Sequence, residues 1–395
     1  MKVAICGAGI AGPTLAYWLA RAGIQSTIIE RAPTLRSGGY VLDFWGLGYD
    51  IAEQMGLTDD LNKLGYHMRE MRIVRDNESR KTGLGLSVMR DLTGGRFVTV
   101  RRSDLAGLLF KKAATVSEVL FGEEITKLEQ RQDGVEVGFL HSSSRKFDLV
   151  IGADGLHSQV RKLVFGQQDQ FEKSLGYTVA AFQAEGYRPR DENVYIMHNQ
   201  PGTALFRLAL REDRTLFLFV FADGVGQVNP PHDIAAQKAL IASRYSGNRW
   251  ENSRILEELQ RADELYFDRV SQIQMPTWSK GRVALVGDAA YCASLMAGQG
   301  SALAMTGAYV LAGELARSAG SHTDAFQKYE GLLRPYIESK QLSAKRFSSA
   351  FAPKTNLGLI IRDLVIAASA IPGVARLSFG RDMIDKLKLP QYPWQ

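Results

Sequence analysis

The first thirty residues restrict the fold more than any other part of the chain. An apolar run, Lys2-Val3-Ala4-Ile5-Cys6, leads directly into Gly7-Ala8-Gly9-Ile10-Ala11-Gly12. A helical pattern over residues 13–22 closes at Gly23, and a second apolar strand, 26–29, ends at Glu30. This order predicts β-α-β with a G-x-G-x-x-G turn after the first strand. The first glycine makes the tight turn, the second lets backbone approach a pyrophosphate, and the third lets helix and strand pack closely. The helix N-terminus attracts phosphate, and an acid at the end of the next strand can accept from a ribose hydroxyl. The motif predicts a dinucleotide site and does not separate FAD from NAD.

Strands of the same buried character recur at 149–154 and 282–288, each running into a turn: Gly152-Ala153-Asp154-Gly155 and Gly287-Asp288-Ala289-Ala290. Between them, residues 177–224 read almost wholly as strand, followed by helices near 234–245 and 254–262 and a strand at 272–275. Alternation also predicts strands at 71–74, 86–89 and 97–100, with a helix opening at Arg102 and Ser103 as its N-cap. Residues 301–387 read as helical with short breaks. At 395 residues the chain is long enough for two to three domains. One nucleotide-binding domain assembled from separated segments, with a sheet domain inserted, fits this interleaving.

Two further constellations each carry two readings. Asp288, with Gly298-Gln299-Gly300 and a long helix from Ser301, either holds a polyol chain beneath a helix N-terminus or caps the next helix. Asp154, with Ser158 and Arg161 downstream, is either part of a cofactor site or a cap at a strand exit. His157 is a minor functional candidate beside the plainer reading of a turn residue. The net charge of +6 is spread out, with no basic run that would predict nucleic-acid binding. Cys6 and Cys292, the only cysteines, exclude a disulfide framework and show no metal-ligand spacing; they fit a reducing cytosol, so a cytoplasmic protein without a metal is expected. Arg362, Asp363 and Pro372 interrupt the apolar stretch 357–374, which predicts a packed helix, not a membrane span.

Gly7-x-Gly9-x-x-Gly12 with Glu30, then Asp154-Gly155, then Gly287-Asp288, in this order over nearly the whole chain, resemble the single-component class A flavoprotein monooxygenases of the para-hydroxybenzoate hydroxylase type. The resemblance implies an α/β fold. A Rossmann-like FAD-binding domain would span 1–67, 98–172 and 272–330, an inserted mixed β-sheet substrate domain 68–97 and 173–271, and a C-terminal helical segment 331–395. It implies FAD as tightly bound cofactor and NAD(P)H as reductant. The cofactor residues carried over are Gly7, Gly9, Ala11, Gly12, Glu30, Arg31, Arg102, Ile125, Asp154, Asp288, Gly298, Gly300 and Ser301. Among them, Arg102 with Leu105 repeats an Arg-x-x-Leu pattern on the flavin side. Arg31 carries no NADPH preference, because FAD would occupy this first motif. The implied reaction passes oxygen from a flavin C4a-hydroperoxide to an electron-rich ring, in a monomer or homodimer, with a small aromatic or polycyclic substrate and O2 as partners.

Within that group the chain is most similar to the tetracycline destructases. The likeness rests on Val41-Leu42-Asp43, residues 281–292, residues 308–315 and Leu389-Pro390-Gln391-Tyr392. Those enzymes place a C-terminal helix over the substrate entrance; residues 357–370 either take that place or only join the two domains. Two departures stand out. The loop Ala293-Ser294-Leu295-Met296-Ala297 lacks the prolines usual there, and the inserted sheet has apolar residues such as Ala180 and Phe217 where some relatives have polar ones. Met197, Phe206, Phe217 and Phe219 are the substrate-side candidates; such an aromatic stripe is also how an ordinary core reads. A flavin-dependent reductase on the same scaffold, or a protein that binds FAD or a drug without turnover, are the alternatives.

Overall fold

The computed structural model describes the chain except residues 37, 39, 225–230, 232, 248, 319, 370–372, 375–384 and 395. Four strands that begin with buried apolar runs form the centre of a six-stranded sheet. Its order is Ser279–Lys280, Val283–Leu285, Leu149–Gly152, Lys2–Cys6, Gln25–Glu30, Glu118–Phe121. All neighbours are parallel except the first pair. Val3, Ala4, Ile5, Val150, Ile151, Val283 and Leu285 are fully buried, as expected for a parallel sheet covered on both faces. Strands far apart in sequence therefore bring the three glycine-bearing turns to one edge.

The second large sheet has seven strands in the order Tyr266–Ile273, Glu172–Glu185, Arg214–Ala222, Thr203–Ala209, Val194–Gln200, Glu70–Val74, Arg80–Gly85. It is antiparallel except where Val194–Gln200 meets Glu70–Val74. One face packs Phe182, Phe217, Phe219 and Phe221 against Ile241, Tyr245, Ile255 and Leu259 of helices Ile234–Arg244 and Asn252–Arg261. The other face turns toward the parallel sheet. A two-stranded ribbon, Val41–Trp45 with Phe97–Arg101, stands between the two sheets, and Tyr195 of the larger sheet hydrogen-bonds to Asp43 on it.

The helical end is a scaffold for that junction. Helix Gly300–Arg317 packs against Ala11–Arg21 and Leu47–Gln54. A Cβ on Gly48 would lie 2.5 Å from the Cα of Ala302, so glycine permits this close approach. Residues 385–394 are not helical, contrary to the sequence reading; they run as a strap. Asp385 accepts from the Leu47 amide at 2.9 Å and the Tyr336 hydroxyl at 2.7 Å and pairs with Lys340 at 2.8 Å. Tyr392 donates to Glu314 at 2.6 Å, and the Trp394 ring packs tilted against Trp18 at 4.7 Å between centroids. Pro372 and residues 375–384, part of the stretch expected to be helical with short breaks, lie outside the described residues.

Three local expectations are corrected. Residues 87–92 form a helix, Ser87–Leu92, where alternation predicted a strand. Leu86 and Met89 are three apart and both pack inward, which is a helical spacing too short to stand out. Helix Arg102–Ala113 starts one residue before Ser103, has Arg101 as N-cap and no side-chain cap, and Asp104 pairs with Arg101 instead. The strand expected at 272–275 is the end of Tyr266–Ile273. Among the described residues, no helix is long and apolar enough to cross a membrane.

Candidate functional site

A cavity of about 1680 Å³ lies between the C-terminal edge of the parallel sheet and the inner face of the seven-stranded sheet. Ligands of open α/β sheets bind at such strand ends. Gly7, Gly9, Ala11, Glu30, Arg31, Arg102, Asp154, Asp288, Gly298, Gly300 and Ser301 all line it, as do Met197 and Phe206 on the opposite wall. Gly12 lies behind the lining: a Cβ there would sit 1.9 Å from the Gly7 carbonyl oxygen, so it serves helix–strand packing.

Three other expected residues are not at the cavity. Ile125 is fully buried in the core beneath it, and the neighbours that reach the cavity are Glu123 and Glu124. Phe217 and Phe219 point to the helix-covered face of the sheet; successive strand residues alternate, and Leu216, Leu218 and Val220 face the cavity.

The phosphate end is built from backbone. Gly7 has φ +109°, and a Cβ on it would meet the Ala153 oxygen at 2.5 Å. Helix Ala11–Arg21 has no side-chain cap, so its first amides are open toward the cavity. Glu30 accepts from the Ala8 amide at 2.8 Å and the Ala32 amide at 2.9 Å, which ties the glycine turn to the end of the next strand. The Arg102 guanidinium lies 3.7 Å from where a Gly9 Cβ would be. Such a cradle fits a pyrophosphate flanked by a ribose.

At the centre, Gly287 at φ +68° turns the chain into helix Asp288–Tyr291. Burial raises the Asp288 carboxyl above its usual range, and nearby Arg102 opposes that. Helix Gly300–Arg317 starts at the cavity with no side-chain cap, so its positive end faces in. The proline-free loop is shaped by other means. Ser294 sits at φ +97° with its hydroxyl on the Met296 amide at 3.2 Å, and Gly298 takes φ +63°.

Asp154 lines the cavity, and its carboxylate also caps helix Gln159–Val164. It accepts from the amides of Gln159 and Val160 at 2.7 and 3.1 Å and from the Ser158 hydroxyl. Sequence reasoning gave Arg161 little weight. It is fully buried and joins two turns, donating to the carbonyls of Ala289 at 2.8 Å and Leu156 at 2.6 Å. Only its position in the Asp154-Gly155 segment could have marked it. His157 bridges the sheets through Asp268 at 3.1 Å, and that hydrogen bond raises its pKa.

Residues 1–330 match the family described as FAD binding domain. A flavin-dependent monooxygenase of Legionella longbeachae is 32% identical over 372 residues, covering 90% of each chain. The chain belongs to this family of FAD-binding flavoprotein monooxygenases. An uncharacterized Mycobacterium tuberculosis protein is 36% identical over 347 residues, covering 86% of this chain and 91% of its own. Among solved structures, tetracycline destructase Tet(55) is 30% identical, with a TM-score of 0.85 over 99% of this chain and 98% of that one. Klebsiella pneumoniae HpxO, solved with FAD and uric acid, shares the fold at a TM-score of 0.78 and 23% identity, covering 98% of this chain and 96% of its own. FAD is the cofactor of the family, and the uncapped helix ends and glycine turn described above suit it.

Glu123, at the rim of this cavity, lets the site be probed by pH. Burial acts to raise its carboxyl, but hydrogen bonds from the Ser142 hydroxyl and the amides of His141, Glu124 and Leu140 outweigh it and bring it from 4.5 down to about 2. A depressed acid stabilises the fold above its unfolded value, and that contribution is lost as pH falls through the folded value. Glu123→Gln is therefore expected to melt lower at neutral pH. Its melting temperature should also fall less steeply than wild type between about pH 4.5 and 2. Parallel curves for the two proteins in a pH series would refute the assignment.

Proposed function

We propose that this protein is an NAD(P)H-consuming FAD monooxygenase that transfers one oxygen atom of O2 to a phenolic or polycyclic aromatic molecule. One observation carries this reading: a single cavity joins the glycine-turn cradle to a broad apolar wall, with the start of helix Gly300–Arg317 at the junction. Bound FAD would supply the hydride acceptor and the oxygen chemistry. In this reading residues 1–67, 98–172 and 272–330 hold the cofactor, and 68–97 and 173–271 hold the substrate.

The residues take distinct parts. The amides after Gly7 and the helix at Ala11 bind the pyrophosphate, and Glu30 accepts from the ribose, with Arg31 beside it. Arg102 offers positive charge along the same path, and Asp288 takes polyol hydroxyls. The uncapped amides at Gly300 and Ser301 favour negative charge that develops near them. Helix Asn356–Ala368 lines the cavity through Ile361, Arg362, Val365 and Ile366 and packs on strand Arg80–Gly85. In this reading it shields the substrate side from water, the role that the resemblance to the tetracycline destructases implies.

The test loads purified protein with FAD and follows NADPH and NADH oxidation with and without a tetracycline or a simple phenol, under heavy-isotope O2. The expected result is substrate-stimulated oxidation and a product carrying one labelled oxygen. Stimulated oxidation with no label in any product would make the protein a reductase, the outcome to which the proline-free loop is most relevant.

A further inference from the structure

Every cavity-lining residue on the strands Glu70–Val74, Arg80–Gly85, Val194–Gln200, Thr203–Ala209 and Arg214–Ala222 is apolar, with one exception. Leu84, Met197, Phe206, Leu216, Leu218 and Val220 make up most of that wall, and Tyr195 is the exception. Its hydroxyl donates to Asp43 Oδ1 at 2.9 Å, and the Thr99 hydroxyl donates to the same oxygen. Asp43 and Thr99 are directly opposite each other on the ribbon between the sheets.

Both hydrogen bonds go to one carboxylate oxygen. Asp43 Oδ2 has no protein hydrogen bond among the described residues, while Asp43 and Tyr195 both line the cavity. Burial raises the Asp43 carboxyl above its usual range. Asp43 is half-buried and this oxygen is open at the cavity, so a donor that arrives with the ligand gains a hydrogen bond to a carboxylate there. The same carboxylate repels an anionic substrate. Arg362, which also lines the cavity, offers such an anion little, because its guanidinium already bonds Asp363 and the Phe351 carbonyl, and Asp363 also pairs with Lys81 at 2.7 Å. A further polar group of a substrate placed against Leu84, Met197, Phe206, Leu216, Leu218 and Val220 would lack a partner there, at about 1–3 kcal/mol.

We propose that the substrate is a neutral, lipophilic arene bearing a hydroxyl group, and that Asp43, braced by Tyr195 and Thr99, accepts the hydrogen bond from that hydroxyl. This rests on the reading of the sheet wall as the substrate side of an aromatic monooxygenase. It adds a polar station on this stretch of the wall that sets orientation; Tyr266, Asp268, Arg269 and Ser271 of strand Tyr266–Ile273 also line the cavity.

The test is calorimetric binding to the FAD-loaded protein, without NAD(P)H, using naphthol, methoxynaphthalene and naphthoate. A hydrogen bond to a charged acceptor predicts that naphthol binds at least about tenfold more tightly than the methyl ether. Naphthoate should bind more weakly than naphthol. Asp43→Leu should bring the naphthol-to-ether ratio close to one and improve naphthoate binding, a gain that general loosening of the fold would not produce. Tyr195→Phe, which keeps the ring, should lower the ratio several-fold and serves if Asp43→Leu loses FAD. Naphthol that fails to bind, a wild-type ratio near one, or a ratio unchanged in the variants would each overturn the proposal. Because no turnover is read, absence of labelled product in the oxygenation assay would sink the monooxygenase reading separately.

Discussion

Gly12→Val is expected to purify without FAD. A Cβ at this position would lie 1.9 Å from the Gly7 carbonyl oxygen and 3.3 Å from Ile5 Cγ2. The Gly7 backbone has nowhere to retreat. Its amide is held by the Ile29 carbonyl at 2.7 Å, and the Ala153 oxygen stands 2.5 Å from its own Cβ position. The helix must therefore lift from the strand, and the amides that form the phosphate cradle move with it. Overpacking of this kind costs about 1–3 kcal/mol or more. The effect on FAD should be larger, because the backbone amides of the glycine turn and the helix start lose their common alignment: we expect more than about a tenfold loss of bound flavin. Gly107→Ala is the control. Gly107 is inside helix Arg102–Ala113 with open space around its Cβ position, so alanine should be neutral or stabilise by up to about 1 kcal/mol. The flavin-to-protein absorbance ratio and the melting temperature check both. Undiminished flavin in Gly12→Val would mean that FAD is held elsewhere.

The parallel sheet was legible because its central strands are buried on both faces, and three of them end in a glycine turn while the fourth ends at Glu30. Lys2–Cys6, Gln25–Glu30, Leu149–Gly152 and Val283–Leu285 announced themselves as short apolar runs before Gly7, Glu30, Asp154 and Asp288. The second sheet was legible as strands but not as faces. Both of its sides are covered, one by helices and one by the cavity wall, so Phe217 and Leu216 are equally apolar and alternation shows no contrast. Sequence alone therefore does not show that Phe217 and Phe219 face the helices. Ile125 is set back from the cavity, which is reached by the polar residues just before its strand. Asp43 and Tyr195 meet across 152 positions of sequence, and a lone acid in a strand carries no local signal. Arg161 reads as a surface helix residue and becomes a buried tie only once two distant strands are side by side.

Arg207→Met should be the most destabilising of the charge-removing changes, although Arg207 touches no ligand. It lies on strand Thr203–Ala209, on the face opposite to Phe206 and Leu208. Its guanidinium donates to the Pro189 carbonyl at 2.7 Å and pairs with Glu251 at 3.0 Å and Asp191 at 2.5 Å. Glu251 is itself buried, and beyond Arg207 the Tyr187 hydroxyl at 2.6 Å is its donor among the described residues. Removing one partner of a buried pair typically costs about 3–5 kcal/mol, because the other charge is left behind. Asp191 is the less affected partner, since Arg72 holds it at 3.2 Å. The pH dependence separates this account from simple loss of packing. Burial already raises the Glu251 carboxyl, with Arg207 opposing it, so the variant must raise it further. An acid raised in the folded state favours folding below its unfolded value and loses that contribution as pH rises through the folded value. The penalty in Arg207→Met should therefore be full at neutral pH and shrink on acidification. Adding Glu251→Gln should recover much of the loss, because the stranded charge is then gone. Denaturant midpoints over a pH series measure all three proteins. A penalty under about 1 kcal/mol, or one that does not change with pH, would show that the charge left on Glu251 is not what destabilises the sheet.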